Sequence, residues 1–455
     1  MTSRTTKTKR VGDGIAALII TLMLSACGGS GGAPTTRILF LATGYFHTCA
    51  VLDTGRVKCW GSNGNGQLGL GDTANRGDGP NEMGNALPAV DLGTDRTITQ
   101  LGAGQAHTCV LFDNGQVKCW GWNQLGGLGL GDTLPRGDGP GEMGGALPAV
   151  DLGTGRTAIQ IAVGGLHTCA LLDTDQVKCW GDGFFGQIGL GNPGDRGDGP
   201  FEMGDFLPVV DLGTGRRATR IAAGSFHTCA LLDTGQIKCW GLNTVGTLGL
   251  GDASNRGDGF GEMGDALPAV DLGTGHTATR IAAGSFHTCA LLDTSQVKCW
   301  GQNNAGQLGL GDASHRGDAP GEMGDALPTV NLGIGRSATQ LAAGEFHTCA
   351  LLDTGQVKCW GQNNVGQLGL GDTNFRGDGP GEMGDALPFV NLGAGRVVIQ
   401  IAAGFNHTCA LLDNGTAKCW GFNSDGELGL GDTNVRGDQP SEMGDALSAV
   451  DIGTP

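Results

Sequence analysis

The sequence repeats itself every 60 residues. Tryptophans recur at this spacing from Trp60 to Trp420, and histidines recur at it from His47 to His407. Seven such units fill residues 36–455 without an insertion or a deletion between them. A fixed period of this kind is typical of solenoids and propellers, in which each unit packs mainly against its neighbours.

Composition narrows the architecture to a turn-rich β protein. Glycine supplies 88 of the 455 residues, and a glycine inside a helix costs about 1 kcal/mol, so helical bundles and coiled coils are excluded. No Gly-X-Y register runs through the chain, which excludes collagen. Hydrophobic residues reach 39% and fall in short regular runs, which argues against disorder.

Each unit contains four candidate strands. In the second unit they cover residues 87–92, 98–103, 107–112 and 116–120, with a hairpin turn around Asn114 between the last two. Four antiparallel strands per unit, repeated radially, predict an all-β, seven-bladed β-propeller, with a linear β-solenoid as the alternative. Neither end of the chain resembles a capping unit. We therefore expect the N- and C-terminal strands to close the ring by sharing one blade.

Two stretches of the repeat resemble a known family. Residues 360–371 read Trp-Gly-Gln-Asn-Asn-Val-Gly-Gln-Leu-Gly-Leu-Gly, and residues 343–348 read Ala-Gly-Glu-Phe-His-Thr. Both resemble the repeat of the regulator of chromosome condensation, and the resemblance extends over all seven units. It implies a seven-bladed propeller, a fold that carries exchange factors, ligase modules and secreted inhibitors alike.

This chain also departs from that family. Its paired cysteines and the long acidic segment between units are unusual for the family. No motif matches the nucleotide-exchange residues of the eukaryotic proteins, and a basic chromatin-binding tail is absent.

The start of the chain has the features of an export signal. Basic residues up to Arg10 precede an apolar run from Ile15 to Leu24, which is too short to span a bilayer comfortably. The run ends in Leu-Ser-Ala-Cys, which resembles a bacterial lipobox. This resemblance implies cleavage before Cys27 and lipidation of its thiol. An ordinary cleaved signal is the alternative.

These features divide the chain into three parts. Residues 1–26 form the predicted lipoprotein signal peptide, residues 27–35 a flexible Gly-rich tether, and residues 36–455 the propeller. Gly28 follows the lipidated position, where an Asp would have suggested retention at the inner membrane of some bacteria. We therefore expect an outer-membrane lipoprotein that faces either the periplasm or the outside.

The cysteines of the seven units occur in pairs ten residues apart. Cys49 and Cys59 are equidistant from Thr54 in the hairpin turn, so they should face each other across two strands within disulfide range. An oxidising, exported compartment allows the bond. The alternative is a zinc site built from His47, Cys49 and Cys59. The expected disulfide cysteines are Cys49, Cys59, Cys109, Cys119, Cys169, Cys179, Cys229, Cys239, Cys289, Cys299, Cys349, Cys359, Cys409 and Cys419.

A histidine and a lysine also recur once in every unit. Seven copies of His47 spread around a ring cannot form one catalytic centre, so we expect each to hydrogen-bond backbone within its own blade. Lys58 shares a strand face with Trp60. Its charge must either reach solvent or find a carboxylate, and Asp53, Asp91 and their repeats are the candidates.

An Arg-Gly-Asp tripeptide occurs at the same position in every unit and begins at Arg76 in the first. It resembles an integrin-binding motif, but its constant position favours a structural loop. Asp72, Asp78 and Glu82 make the surrounding segment acidic. Salt bridges and turn-capping Asp side chains explain this pattern. Calcium, which needs six to eight oxygen ligands, is the alternative.

Differences among the units point to a binding surface. The loop after each Trp-Gly pair is aromatic in some units and small or polar in others. Aromatic side chains in an acidic surround are typical of a protein-binding hot spot. Packing within the loop is the alternative, and the third unit also has Phe201 and Phe206 where most units have Gly or Ala. The loop residues, which a closed ring places along one arc of one rim, are Trp122, Phe184, Phe185 and Phe422.

Together these features predict an exported, lipid-anchored scaffold that binds another protein at one rim. The net charge of −17 disfavours nucleic acid as a partner, because phosphate recognition needs a basic footprint. No His-Glu-x-x-His motif or phosphate loop indicates an enzyme. We expect a monomer without a cofactor that contacts the membrane only through its lipid. The alternatives are an inhibitor of a secreted or envelope enzyme and, by family analogy alone, a guanine-nucleotide exchange factor.

Overall fold

The computed structural model describes residues 36–454, which form seven three-stranded antiparallel sheets. The strands of each sheet follow one another in the chain, so each 60-residue unit builds one blade. One-turn 3-10 helices lie at Gly84–Ala86, Gly204–Phe206, Gly264–Ala266, Gly324–Ala326, Gly384–Ala386 and Gly444–Ala446. The strands are β1 (Ile38–Thr43), β2 (His47–Leu52), β3 (Val57–Gly61), β4 (Ile98–Ala103), β5 (His107–Phe112), β6 (Val117–Gly121), β7 (Ala158–Val163), β8 (His167–Leu172), β9 (Val177–Gly181), β10 (Ala218–Ala223), β11 (His227–Leu232), β12 (Ile237–Gly241), β13 (Ala278–Ala283), β14 (His287–Leu292), β15 (Val297–Gly301), β16 (Ala338–Ala343), β17 (His347–Leu352), β18 (Val357–Gly361), β19 (Val398–Ala403), β20 (His407–Leu412) and β21 (Ala417–Gly421).

The middle strand of each blade is buried along its whole length. In β2 all six residues are buried, because neighbouring blades cover both faces of the sheet. A tight turn at residues 53–56 leads into β3, and Gly55 adopts the positive φ of 78° that this turn requires. The turn sets Cys49 directly opposite Cys59.

The seven predicted disulfides are present. Cys49 and Cys59 are bonded, with their Cα atoms 4.1 Å apart, and the other six pairs repeat this geometry. Both sulfurs are buried in the apolar core between two blades, which also contains Val57 and the Trp120 ring of the next blade. The bridges therefore pin the hairpins from within the packed interior.

The seven-bladed propeller is confirmed, but its blades have three strands where the sequence suggested four. Residues 98–103 and 107–112 are strands, and the strand predicted at 116–120 begins one residue later. Residues 87–92 do not form a strand. Pro88 has no N–H to donate, so only the Val90 N–H reaches the sheet, at the Val57 oxygen 2.8 Å away.

The outer edge of each blade is correspondingly short. In the first blade it consists of a single antiparallel bridge between Gly61 and Arg76. Val57 lies in β3, so the segment that contains Val90 belongs to the first blade and not to the second. The outer strand is thus replaced by a loop that makes isolated contacts with the sheet.

Blades one and seven meet and close the ring. The N–H of Ile38 donates to the Gly415 oxygen at 2.8 Å, and the N–H of Gly84 donates to the Asp451 oxygen at 2.9 Å. The expected shared blade is not formed. The strand β1 pairs with β2, and β19, β20 and β21 form their own sheet, so neither terminal unit leaves a gap for a strand from the other end.

Among residues 36–454, no helix is long and apolar enough to cross a bilayer. The proposed lipidation residue Cys27 and the signal and tether segments lie outside the described residues.

Candidate functional site

The recurring histidines join neighbouring blades. Nε2 of His47 lies 2.9 Å from Oγ1 of Thr108 in the next blade, and this hydroxyl donates to the Gln67 oxygen at 2.9 Å. Nε1 of Trp120 donates to the same oxygen at 3.0 Å. Because the hydroxyl hydrogen points to the carbonyl group, Nε2 of the histidine is the donor. The predicted backbone partner within the same blade is therefore wrong, since the partner is a side chain one blade further along.

The histidines are neutral and cannot reach a ligand. Burial lowers the pKa of His47 to about 3 and that of His107 to about 4. Both rings are almost completely inaccessible. Their role is to hold the ring together, as their sevenfold repetition indicates.

The recurring lysines also serve the blade junctions. Nζ of Lys58 donates to the carbonyl oxygens of Gly84 at 2.8 Å and Ile452 at 2.9 Å. Within the described residues Lys58 makes no ion pair, because these two backbone oxygens occupy its ammonium group. Burial lowers the pKa of Lys58. Among the expected carboxylates, Asp451, the repeat of Asp91, lies close enough for its charge to oppose the lowering of the Lys58 pKa. Here too the partners come from sequence-distant segments that the local pattern does not reveal.

The acidic segment and the Arg-Gly-Asp tripeptide form a structural loop, as predicted. Nη2 of Arg76 contacts Oδ2 of Asp72 at 2.7 Å, and this contact holds the pKa of Asp72 below its usual value against the effect of burial. Oε2 of Glu82 accepts the N–H groups of Gly77 at 3.0 Å and Gly79 at 2.9 Å. Among residues 36–454, no group of three or more His, Cys, Asp or Glu side chains could hold a metal ion.

The four predicted binding residues do not form one cluster. Phe184 and Phe185 touch edge to face with ring centroids 4.9 Å apart, and Phe185 continues to Phe226 at 5.8 Å. Phe422 lies in a different group, 6.2 Å from Phe46. Trp122 is half-buried and belongs to neither group. These rings therefore form separate contact groups, because they pack against residues of the neighbouring blade.

The row that begins at Phe184 crosses four blades. From Phe226 it continues to Phe286 at 5.4 Å and then to Phe346 at 6.1 Å. These last three rings are half-buried, whereas Phe184 is 66% exposed. Exposure is thus concentrated at the blade-three end of the row.

A second group of phenylalanines lies on the outer edge of blades three and four. Phe201 and Phe206 are 80% and 67% exposed and meet edge to face at 5.7 Å, and Phe260 is fully exposed. In blades six and seven, Phe389 and Pro440 line a common depression. These are the repeat equivalents of Val209 and Phe260, so Phe260 borders the same edge. We call Phe201, Phe206, Val209 and Phe260 the outer apolar patch.

The sequence contains a signal for this patch that aromatic content in the loops alone does not show. Six of the seven units have Pro at the position of Phe260, and six have Ala at the position of Phe206. Four units have Gly at the position of Phe201. Comparison of equivalent positions, which singles out Phe201 and Phe206, also identifies Phe260, the one of the three that sequence reasoning missed.

Phe201 is held in an unfavourable backbone conformation. Its φ is 66°, in the left-handed region where Gly141 and Gly261 occupy the equivalent positions. A bulky residue there costs roughly 1–3 kcal/mol. Its exposed ring recovers little of that cost by packing within the chain, and such strain is characteristic of residues kept for function.

Acidic residues lie close in sequence to the phenylalanines of the outer apolar patch. Asp198 and Glu202 flank Phe201 in the chain, and Asp205 precedes Phe206. Asp205 is exposed, and hydrogen bonds from Thr154 lower its pKa, so it carries a negative charge at neutral pH. The patch thus combines an apolar centre with an acidic border.

Comparison with known proteins identifies relatives over nearly the whole propeller. A sequence profile of the RCC1-like domain matches residues 90–454, and profiles of the regulator of chromosome condensation (RCC1) repeat match residues 38–67 and 54–111. The ultraviolet-B receptor UVR8 of Arabidopsis thaliana is 28% identical over 408 residues, which cover 88% of this chain and 80% of that protein. The probable E3 ubiquitin-protein ligase HERC6 of Homo sapiens is 31% identical over 306 residues, 66% of this chain but 27% of that protein.

Solved structures show the same fold. The structure of Prp20p from Saccharomyces cerevisiae has a TM-score of 0.59 at 23% identity. The match covers 81% of this chain and 80% of the Prp20p chain. The structure of human WBSCR16 has a TM-score of 0.59 at 21% identity, and the match covers 84% of this chain and 91% of the WBSCR16 chain. Since the domain profile matches far more than half of the sequence, this chain belongs to the RCC1-like domain family.

Proposed function

We propose that this propeller is a non-enzymatic scaffold that binds another protein across blades three and four. One observation carries the proposal. The phenylalanines that are exposed within residues 36–454 are Phe184, Phe201, Phe206 and Phe260, and all four lie on these two blades. Exposed aromatic side chains concentrated on one side of a molecule are typical of the centre of a protein interface.

The charge of the surface indicates the chemistry of the partner. The chain has a net charge of −17, and acidic residues such as Glu202 and Asp205 border the outer apolar patch. Complementary charge accelerates association and selects partners. We therefore propose a partner protein with an apolar centre and a border of Lys and Arg residues.

Export to the cell envelope is part of the same proposal. The apolar run that ends at Cys27 supports secretion and lipid anchoring, with the outer membrane as the preferred location. Seven buried disulfides support an oxidising compartment. The periplasm and the outer surface both satisfy this condition.

The relatives support protein binding as the general activity. Prp20p of Saccharomyces cerevisiae binds Gsp1p and histones, and yeast RCC1 has been crystallised in a complex with Kap60. By analogy, we propose that the present chain also acts through a protein partner, with a surface peculiar to its third and fourth units.

The proposal is tested by returning the outer apolar patch to the residues of the other units. The variant combines Phe201→Gly, Phe206→Ala and Phe260→Pro, each of which already fits this fold elsewhere. The full chain and this variant are used to capture proteins from an envelope extract. Ile334→Thr is the matched control, because Ile334 is exposed on another blade and five units have Thr there.

We expect the wild-type chain and the control to retain one stoichiometric basic protein that the triple variant loses, without loss of stability. Equal capture by all three chains contradicts the proposed surface. If the captured protein is a hydrolytic enzyme that loses activity when bound, inhibition becomes the specific role.

A further inference from the structure

The seven units differ in chemistry at the mouth of the central channel. A cavity of about 110 Å³ on the ring axis is lined by residues from all seven units. The glycine before each lining turn and the histidine after it are constant. The residue next to the glycine is of six different types in the seven units, namely Tyr45, Gln105, Gly165, Ser225, Ser285, Glu345 and Phe405.

Tyr45 spans this mouth. Its hydroxyl group contacts Oγ of Ser225, which lies three blades away, and Ser225 donates in turn to Oγ of Ser285 at 2.7 Å. The ring of Tyr45 lies against Phe405, with centroids 4.7 Å apart and planes inclined by 33°. One side of the mouth is therefore aromatic, and another carries hydroxyl oxygens.

Glu345 supplies a carboxylate to the same cavity. Its side chain has no hydrogen-bond or ion-pair partner among the residues that the structure describes. Burial raises its pKa to about 7, since nothing nearby compensates the charge. A carboxylate left without a partner in a partly desolvated cavity is stabilised by a cation.

We propose that the channel mouth binds a primary alkylammonium group, with Glu345 as the counter-charge and Tyr45 and Phe405 as aromatic walls. Aromatic faces attract cations, and the serine hydroxyl groups offer acceptors for ammonium hydrogens. The cavity is much smaller than the 300–1,000 Å³ or so typical of sites for drug-sized molecules, so it suits a small head group. A free amine and a lysine side chain of a protein present this same chemistry.

The lone tyrosine of the chain provides a direct probe. With ¹³C-labelled tyrosine, the full-length protein gives signals from Tyr45 alone. We expect n-butylammonium chloride to shift them in a saturable manner, whereas n-butanol and sodium chloride at matched concentrations do not. Nα-acetyl-lysine N-methylamide, which carries the amine on a lysine side chain, separates the two sources. If it binds with an affinity comparable to that of n-butylammonium, the site is assigned to lysine side chains. If it binds much more weakly, the site is assigned to free amines.

Two variants make the test specific. Glu345→Gln should weaken n-butylammonium binding at least tenfold, because it removes the counter-charge and keeps the shape. Asp353→Asn should leave binding unchanged, since this exposed residue lies in the hairpin turn of the same unit and its loss alters the net charge equally. Three results overturn the proposal: a shift that does not saturate, a shift that persists in Glu345→Gln, and a shift produced by n-butanol or calcium chloride in place of the amine.

Discussion

Nε2 of His407 lies 3.0 Å from Oγ1 of Thr48, a contact that joins the last blade to the first. The Thr48 hydroxyl donates to the Glu427 oxygen at 3.0 Å, and Nε1 of Trp60 donates to the same oxygen at 2.9 Å. The six other junctions contain the equivalent His–Thr contact. The junction that closes the ring is therefore built like those between consecutive blades.

Thr48→Val should cost as much stability as Thr228→Val, which alters the junction between blades three and four. Valine keeps the shape of the side chain but removes the hydroxyl group, so a buried histidine nitrogen loses its partner. This loss should lower the free energy of unfolding by about 1–3 kcal/mol. We expect equal decreases in the urea midpoint of the two variants. In an open array Thr48 would have no neighbouring blade. A Thr48→Val variant as stable as the wild type would therefore contradict closure.

Acidification should destabilise the ring below pH 6.5. Burial lowers the pKa of the junction histidines to about 3 or about 4, whereas histidines of the unfolded chain take up protons near 6.5. The unfolded chain therefore binds more protons than the folded chain between these pH values. As the pH falls, each histidine lowers the free energy of unfolding by up to about 1.4 kcal/mol per pH unit. The stability that depends on neutral histidines is complete above pH 6.5 and is lost as the pH falls.

Urea unfolding at several pH values tests this expectation. Glu345 and Glu427 act in the opposite direction, because burial raises their pKa values to about 7, but they are two groups against seven. We expect a urea midpoint that falls steeply between pH 6.5 and pH 5. A midpoint that stays constant or rises over this interval would show that the histidines are not buried in the neutral form.

Glu427→Gln should stabilise the protein at pH 8 and have little effect at pH 5. Glu427 is buried at the closing junction, Oε1 has no partner within the described part of the chain, and its pKa is raised to about 7. The folded state keeps a proton that the unfolded chain releases near pH 4.5, so stability is lost as the pH rises through this interval. The amide removes this loss, a gain of about 1–3 kcal/mol at pH 8.

The chain contains its own precedent for this variant. Gln307 and Gln367 occupy the equivalent position in two other units and are buried there. The urea midpoints of wild type and Glu427→Gln should therefore diverge with increasing pH. A difference that is the same at pH 5 and pH 8 would contradict a titrating buried carboxylate.

The disulfides should resist reductant until the protein unfolds, because their sulfur atoms are buried. Mass spectrometry after alkylation should find no modified cysteine among the seven pairs in native protein treated with reductant, and all seven pairs modified when urea is also present. Replacing both Cys49 and Cys59 by Ala should lower the free energy of unfolding by about 2.5–3 kcal/mol. Alkylation of these pairs in native protein without reductant would show free thiols and contradict the bridges.

Local patterns predicted the hairpins and their bridges because both depend on residues that are close in sequence. Cys49 and Cys59 are symmetric about one turn, and that symmetry fixes which residues face each other. The predicted outer strand does not form, because Pro88 lacks the backbone N–H group that a strand residue donates. A run of apolar residues there was consistent with a strand, although Leu87 and Val90 pack as parts of a loop.

Contacts between blades could not be predicted from one unit. His47 bonds to Thr108, and Lys58 bonds to a carbonyl group of the last unit, so both partners depend on how units stack. The aromatic row has the same origin, since Phe185 meets Phe226 of the next blade. Phe260 was accessible to sequence comparison, because it interrupts a proline that the other six units share.

The most direct test of the scaffold proposal is photo-cross-linking in intact cells from p-benzoylphenylalanine placed at Phe206. The same residue at Ile334, which is exposed on blade five, is the matched control. We predict one dominant adduct with a basic envelope protein from position 206 and none from position 334. No adduct from position 206, or the same adducts from both positions, would contradict a partner-binding surface on blades three and four.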